Sequence, residues 1–269
     1  IPPRHYHLRI RARYRSSLAM YENLEASLHD LFWEQEDVLS ELPLLQEFHA
    51  QFPSLEIGCG SGRLLLPLLK NGCPIEGVEI SADMVELFRS NAEKANLEAS
   101  VHHGDICEFE TEQKFDRVSI PAFTLQLLNR NDVPALFKKL SDITTDEGKI
   151  YFTVFIPWAE IAGELDENIW YEDHQAKLEN GNSAKCKTKF TINRLQQFLQ
   201  RRHHYTITNK SGKKQEHRSQ QTVQWYTLPE LTALLREGGW KIEQFITDLT
   251  PDMDEDSNAH LLTIIAEKS

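Results

Sequence analysis

The sequence predicts an α/β protein with a parallel sheet, and three observations carry that expectation. First, residues 54–79 read as strand, glycine turn, helix and strand. The apolar pair Leu55 and Ile57 ends in glycines at alternate positions, Gly58, Gly60 and Gly62. A leucine-rich segment, Leu64 to Leu69, follows and stops at Asn71-Gly72; Ile75, Gly77 and Val78 then lead to Glu79. That crossover is as long as a parallel strand pair needs. Second, apolar runs at 115–120 and 148–156 alternate with helical stretches at 82–95 and 132–140. Third, the period changes to two after Pro157, which predicts antiparallel strands.

Taken in order, residues 17–50 predict helix. Leu18, Tyr21, Leu24, Leu28, Leu31 and Phe32 recur every three or four positions, and Pro43 interrupts or starts a second helix. Ser81 predicts the N-cap of a helix over Ala82 to Ala95. Ala99 to His103 predicts a short strand, Asp132 to Leu140 an amphipathic helix and Lys149 to Phe155 a strand. Residues 158–180 read as irregular with helical fragments. Lys185 to Ile192 alternates as a half-exposed strand, and Phe198 to Thr208 with Gln215 to Tyr226 predicts a hairpin around Asn209-Lys210-Ser211-Gly212.

Composition narrows the function. The chain has 269 residues, 40% hydrophobic and 26% charged, with a formal net charge of −12. These values suit a soluble globular protein and disfavour a broad nucleic-acid surface. No apolar stretch has membrane-spanning length. The basic start lacks the apolar core of a signal peptide, and a first residue Ile1 leaves room for residues upstream. Cys59, Cys73, Cys107 and Cys186 are scattered, which suits a reducing cytoplasm. No cluster has zinc spacing, so no metal is expected. Ten Lys/Arg against the single acid Glu216 lie between Lys185 and Arg218.

The glycine loop holds a ligand against bare backbone, and an acid at the tip of the second strand suits a ribose diol. A dinucleotide fingerprint would need a third glycine where Arg63 stands. Glu56, near the loop, would repel a pyrophosphate and attract an ammonium. Glu56-x-Gly58-x-Gly60-x-Gly62 with Glu79 resembles motif I and the acidic loop of class I S-adenosylmethionine-dependent methyltransferases. Gly104-Asp105-Ile106, Phe115 to Val118 and Glu147 to Phe152 resemble that family's third, fourth and fifth strands, and Leu228 to Phe245 with His260 to Ala266 its last helix and closing hairpin. The resemblance is to the small-molecule branch, methyltransferase domain 25-like. It implies a Rossmann-like seven-stranded sheet with N-terminal helices and an antiparallel β insertion after strand 5. The expected division is a helical cap at 1–51, a cofactor-binding core at 52–156 and 227–269, and a lid at 157–226.

The implied cofactor is S-adenosyl-L-methionine. The resemblance implies contacts from Tyr14, Tyr21, Glu56, Gly58, Cys59, Gly60, Gly62, Arg63, Glu79, Ile80, Met84, Gly104, Asp105, Ile106 and Pro121. Methyl transfer from a sulfonium needs mainly positioning and exclusion of water, and a base only when the nucleophile is protonated. The loop Ile120-Pro121-Ala122-Phe123 lacks the polar first residue of base-amine methyltransferases and the cysteine of the pyrimidine enzymes. A small-molecule N or O acceptor is therefore expected, with an RNA methyltransferase or a non-catalytic cofactor- or partner-binding module as alternatives. Candidate substrate-side residues are Phe123, Gln126, Trp158, Trp170, Tyr171, His174, Trp225 and Tyr226. A homodimer is compatible with the sequence.

Overall fold

A computed structural model describes residues 21–33, 41–251 and 258–269. Tyr14, and the parts of the expected N-terminal helices at 17–20 and 34–40, lie outside these residues. Two short helices stand within them, α1 (Leu24–Trp33) and α2 (Leu42–His49). Pro43 starts α2 rather than breaking it, because the first helical turn has no use for its missing N–H.

The main sheet contains β1 (Ser54–Ile57), β2 (Ile75–Glu79), β3 (Val101–His103), β4 (Phe115–Ile120), β5 (Thr144–Phe155), and the last two strands, residues 240–247 and 261–268. The first five are parallel to one another in the order β5-β4-β1-β2-β3. Strand 261–268 is antiparallel to both β5 and strand 240–247, so it alone runs against the sheet. Helices α3 (Leu65–Lys70), α4 (Ala82–Lys94) and α5 (Val133–Ile143) supply the crossovers. All four residues of β1 are buried, as expected for a central strand covered on both faces.

Alternation along β5 divides the core. Ile150, Phe152 and Val154 join Leu136, Phe137 and Leu140 of α5 on one face. Tyr151 joins Leu45 and Phe48 of α2 and Leu65 and Leu68 of α3 on the other. Leu68 is fully buried, so Leu68→Ala would cost about 2–5 kcal/mol.

After β5 and the short helix α6 (Trp158–Ala162), a second sheet forms from β6 (Tyr171–Lys177), β7 (Ser183–Asn193), β8 (Phe198–Thr208) and β9 (Lys214–Gln224), all antiparallel. Helix α7 (Leu228–Glu237) returns the chain to β10 (Trp240–Thr247) and β11 (Leu261–Lys268). Two strand expectations are corrected. β6 lies in a segment read as irregular, because Glu172, Asp173 and His174 run together and the pairing shifts register between Glu172 and His174. β5 starts at Thr144, upstream of the glycine turn expected to precede it.

The second sheet packs on α1. Leu24, Leu28 and Phe32 of the helix meet Ala176, Ala184, Cys186 and Tyr205 of the strands. Phe190, Leu199, Val223 and Trp225 form a further cluster against Phe155 and Leu127. The inserted sheet is thereby held across the C-terminal edge of the parallel strands, where ligands bind in open α/β sheets.

Candidate functional site

A cavity of about 340 Å³ opens at that edge. Gly58 and Gly60 turn the chain at the end of β1 with φ of +68° and +54°. Both angles are strained for any residue with a Cβ. A Cβ on Gly58 would also lie 2.4 Å from Thr124 Cγ2. The Gly60 N–H donates to Glu79 Oε2 at 2.9 Å, and the Ser81 N–H donates to Glu79 Oε1 at 2.8 Å. The acid at the tip of β2 is thus fixed from both sides and keeps further lone pairs for a ligand.

The Ser81 hydroxyl accepts from Met84 N as the cap of α4 and donates to the Tyr21 carbonyl at 2.8 Å. That bond draws the segment before α1 into the cavity wall. On the adjoining wall, Asp105 Oδ1 accepts from Cys107 N, while Ile106 is buried beneath it.

Two ionisable side chains, an acid and a guanidinium, stand unpaired in this wall among the described residues. Glu56 is 2% exposed, and its Oε2 has no hydrogen-bond partner among the described residues. Burial, then the neighbouring Glu41, pushes its pKa up to about 8, against the pull of Arg63. Arg63 lies 5.3 Å from the Trp33 ring centroid, and its Nε and Nη1 also lack partners among the described residues. Burial pulls the Arg63 pKa down, opposed by Glu41 and Glu56. Buried polar groups are nearly always paired. An orphaned carboxylate and guanidinium in one cavity match a ligand bearing both an ammonium and a carboxylate, the head of a free amino acid.

A second cavity of about 220 Å³ adjoins the first and shares Tyr21, His29, Ala122 and Leu127 with it. Its walls come from α1 (Glu25, Phe32, Trp33), the loop after β4 (Phe123), the end of β5 (Phe155) and the inserted sheet (Asp173, His174, Cys186, Arg201, His203, Tyr205, Gln221, Val223). Glu25 ties these walls together. Its carboxylate accepts from Tyr21 N at 3.1 Å, Tyr205 Oη at 3.3 Å and Gln221 Nε2 at 3.0 Å. Asp173, Cys186 and His203, on three strands, bring ligand atoms within 4.8 Å of one another, a set that sequence spacing did not foreshadow.

The structure brings together Tyr21, Glu56, Gly58, Cys59, Gly60, Arg63, Glu79, Ile80, Met84, Asp105, Ile106 and Pro121 in the first cavity. Gly62 and Gly104 do not line it. Gly62 instead faces Leu66 and Phe88, which a Cβ would meet at 2.8 Å. Of the substrate-side candidates, Phe123 and His174 line the second cavity. The others lie elsewhere.

Gln126 is corrected to a structural tie. It is fully buried, accepts from Phe155 N, and donates to the Phe155 and Gln224 carbonyls. Trp170 is 40% exposed beside Lys189 and His204, on the face of β8 opposite His203. Trp225 and Tyr226 are packed in separate apolar clusters, with Arg130 over the Tyr226 ring. Trp158 donates its indole N–H to the Ala259 carbonyl, and the Tyr171 hydroxyl bonds the Asp166 backbone.

Sequence reasoning missed His29, Trp33, Glu25, Arg201, His203 and Tyr205. Arg201, His203 and Tyr205 alternate along β8, so a period-two reading of that strand could have grouped them.

Residues 55–148 match the family model described as "Methyltransferase domain". The chain is 28% identical over 105 residues to the dTDP-3-amino-3,6-dideoxy-alpha-D-glucopyranose N,N-dimethyltransferase of Streptomyces fradiae. That alignment spans 39% of this chain and 38% of the relative, and the chain spans less than half the length of the first curated relatives it matches. A solved S-adenosylmethionine-dependent methyltransferase from Clostridium acetobutylicum superposes with a TM-score of 0.73 at 13% identity, covering 91% of this chain and 97% of that one. The sugar N-methyltransferase KedS8 from Streptoalloteichus superposes with a TM-score of 0.69 at 16% identity, covering 92% and 94%. The fold is that of S-adenosylmethionine-dependent methyltransferases, and no helix among the described residues is long and apolar enough to cross a membrane.

Proposed function

We propose that this chain, whose residues 55–148 are a methyltransferase domain, moves a methyl group from S-adenosylmethionine to a nitrogen or oxygen of a small molecule held in the second cavity. The observation that carries the reading is the unpaired Glu56–Arg63 couple, in a cavity that also presents Glu79 and continues into a second, mixed polar and aromatic one.

In this reading Glu56 receives the cofactor's ammonium, Arg63 its carboxylate and Glu79 its ribose hydroxyls. Asp105 takes the adenine amine, and Met84 and Ile106 flank the ring. The cofactor supplies an already activated methyl group. What the protein adds is position and dryness. The Glu79 clamp and the backbone at Gly58 and Gly60 fix one reactant. Tyr21, shared by both cavities, stands at the passage between them, and the inserted sheet covers the acceptor side.

An amine is the favoured acceptor, and an amino sugar the favoured class. The Streptomyces fradiae relative is named for an amino-sugar nucleotide, and KedS8 is a sugar N-methyltransferase. The second cavity supplies carboxylates at Glu25 and Asp173 and rings at Phe32, Phe123 and Phe155, a combination that suits a polar ring with one cationic substituent.

The test is incubation of the protein with S-adenosylmethionine carrying a labelled methyl group and a panel of nucleotide-linked amino sugars, simple amines and phenols. Transfer to an amino sugar is expected. Cofactor binding without transfer to any of these would overturn the acceptor class, and absence of cofactor binding would overturn the whole reading.

A further inference from the structure

On β8, His203 is 8% exposed and lines the second cavity. Its Nε2 has no hydrogen-bond partner among the described residues. The other ring nitrogen is engaged: Nδ1 lies 2.7 Å from Thr188 Oγ1, and that hydroxyl lies 2.5 Å from Asp173 Oδ2.

A threonine hydroxyl has one proton. Asp173 stands at the exposed rim of the inserted sheet, and its Oδ2 is the acceptor of the Thr188 hydroxyl. The Thr188 proton therefore goes to Asp173, and the hydroxyl must accept from His203 Nδ1–H. Burial, the largest influence on the ring, pulls the His203 pKa down to about 4, so the neutral ring carries a single proton. With that proton fixed on Nδ1, Nε2 is left as a lone pair.

Several neighbours modulate this ring. Asp173 and the Gln221 side-chain amide oppose the effect of burial, and Arg201 and His174 add to it; the Gln221 amide N–H is committed to Glu25, and no hydrogen bond of ordinary geometry joins Gln221 to Nε2 among the described residues. An uncharged acceptor is also the only form of imidazole that tolerates a sulfonium in the neighbouring cavity without repulsion.

Resting on the reading under Proposed function, we propose that His203 Nε2 binds and orients the methyl acceptor by accepting a hydrogen bond from the N–H or O–H of its attacking atom, with Thr188 and Asp173 holding the tautomer. One hydrogen held by His203 turns the attacking lone pair away from the inserted sheet and toward the passage at Tyr21. An acceptor atom with no hydrogen, such as a tertiary amine, gains nothing from this contact. The site thus favours primary and secondary amines or hydroxyls and disfavours a fully substituted nitrogen.

The first measurement needs no acceptor. Protein labelled with 15N-histidine and saturated with S-adenosylhomocysteine is read by long-range proton–nitrogen correlation, with His203→Gln identifying the signal. The expected pattern is a protonated Nδ1 and an unprotonated Nε2, with the preference lost in Thr188→Val. A protonated Nε2 in the wild type overturns the proposal.

The second measurement uses whichever amino-sugar nucleotide the wild type methylates. His203→Ala should raise its KM on the order of tenfold, as loss of one hydrogen bond implies, with S-adenosylhomocysteine affinity unchanged. His203→Gln, whose amide oxygen can accept, should recover part of that loss. An unchanged KM in His203→Ala overturns the proposal. So does stoichiometric zinc bound through Asp173, Cys186 and His203 with chelator-sensitive turnover, which would make the cluster a metal centre. A wild type that binds cofactor but methylates nothing overturns the enzymatic reading instead, and the tautomer still decides the chemistry of His203.

Discussion

His49 is fully buried at the end of α2, with its Nε2 3.0 Å from Ser119 Oγ. Burial, then nearby Arg117, pulls its pKa down to about 3, against about 6.5 in an unfolded chain. As pH falls below 6.5, the unfolded chain takes up a proton that the folded chain refuses. Stability must therefore drop with falling pH until about pH 3, by up to about 1.4 kcal/mol per unit from this residue. Because other buried groups titrate in the same range, the test is a comparison: in urea unfolding at pH 6.5 and pH 5, the wild type should lose more stability on acidification, or gain less, than His49→Gln. An identical slope in the variant would remove His49 from the explanation. In the proposed function Glu79 also contacts the ligand. Glu79→Ala deletes the acceptor for Gly60 N and Ser81 N as well as the expected ribose contact, so S-adenosylmethionine affinity should fall by about 2–3 kcal/mol in calorimetry. Wild-type affinity in that variant would reject the role of Glu79 in the cofactor site.

Among the elements, α1 couples the two sheets, and Glu25 is the point of coupling. Its carboxylate is 2% exposed and accepts from Tyr21, Tyr205 and Gln221. Glu25→Ala strands these donors and should destabilise the fold by about 1–3 kcal/mol. It should also weaken S-adenosylhomocysteine binding, because Tyr21 loses its anchor. Shortening the β8–β9 tip between Thr206 and Glu216 touches neither cavity wall. Cofactor affinity there should stay within about threefold, under roughly 1 kcal/mol. A larger loss would mean that the tip shapes the cofactor site. The same elements show what sequence could convey. β1, the glycine turn and β2 are legible because their order and spacing are local, and Glu79 follows directly from the end of β2. β6 is not legible, since its Glu172-Asp173-His174 run and bulge erase the alternation. The residues of the second cavity are hidden for a different reason. Both faces of β8 mix polar and apolar side chains, so alternation groups Arg201, His203 and Tyr205 without saying that they turn inward. That choice is made by α1, whose Leu24, Leu28 and Phe32 pack on this sheet from far away in sequence. Trp225 and Tyr226 come just after β9 ends at Gln224, so the one-in, one-out rule for a strand does not govern them.

At the scale of the molecule, the parallel sheet bears the first cavity and the inserted sheet roofs the second beside it. The central claim is that the first cavity takes an amino-acid head on Glu56 and Arg63. Without a ligand, Glu56 is a buried acid with its pKa pushed up to about 8, against about 4.3 in an unfolded chain. A raised acid pKa means that this group's contribution to the stability of the free protein is fully present below about pH 4 and is lost as pH rises through 8. An ammonium beside Glu56 reverses the preference, because the carboxylate must ionise to pair with it. Binding at pH 7 should therefore release close to one proton, roughly 0.9 from a group titrating near 8, and much less at pH 9. Calorimetric titration of S-adenosylmethionine in two buffers of different ionisation enthalpy counts that proton directly. The expected result is a release near one at pH 7 in the wild type, shrinking toward zero at pH 9, and none from this position in Glu56→Gln. Tight binding with no proton release at pH 7, or the same release in wild type and Glu56→Gln, would contradict the assignment of this cavity.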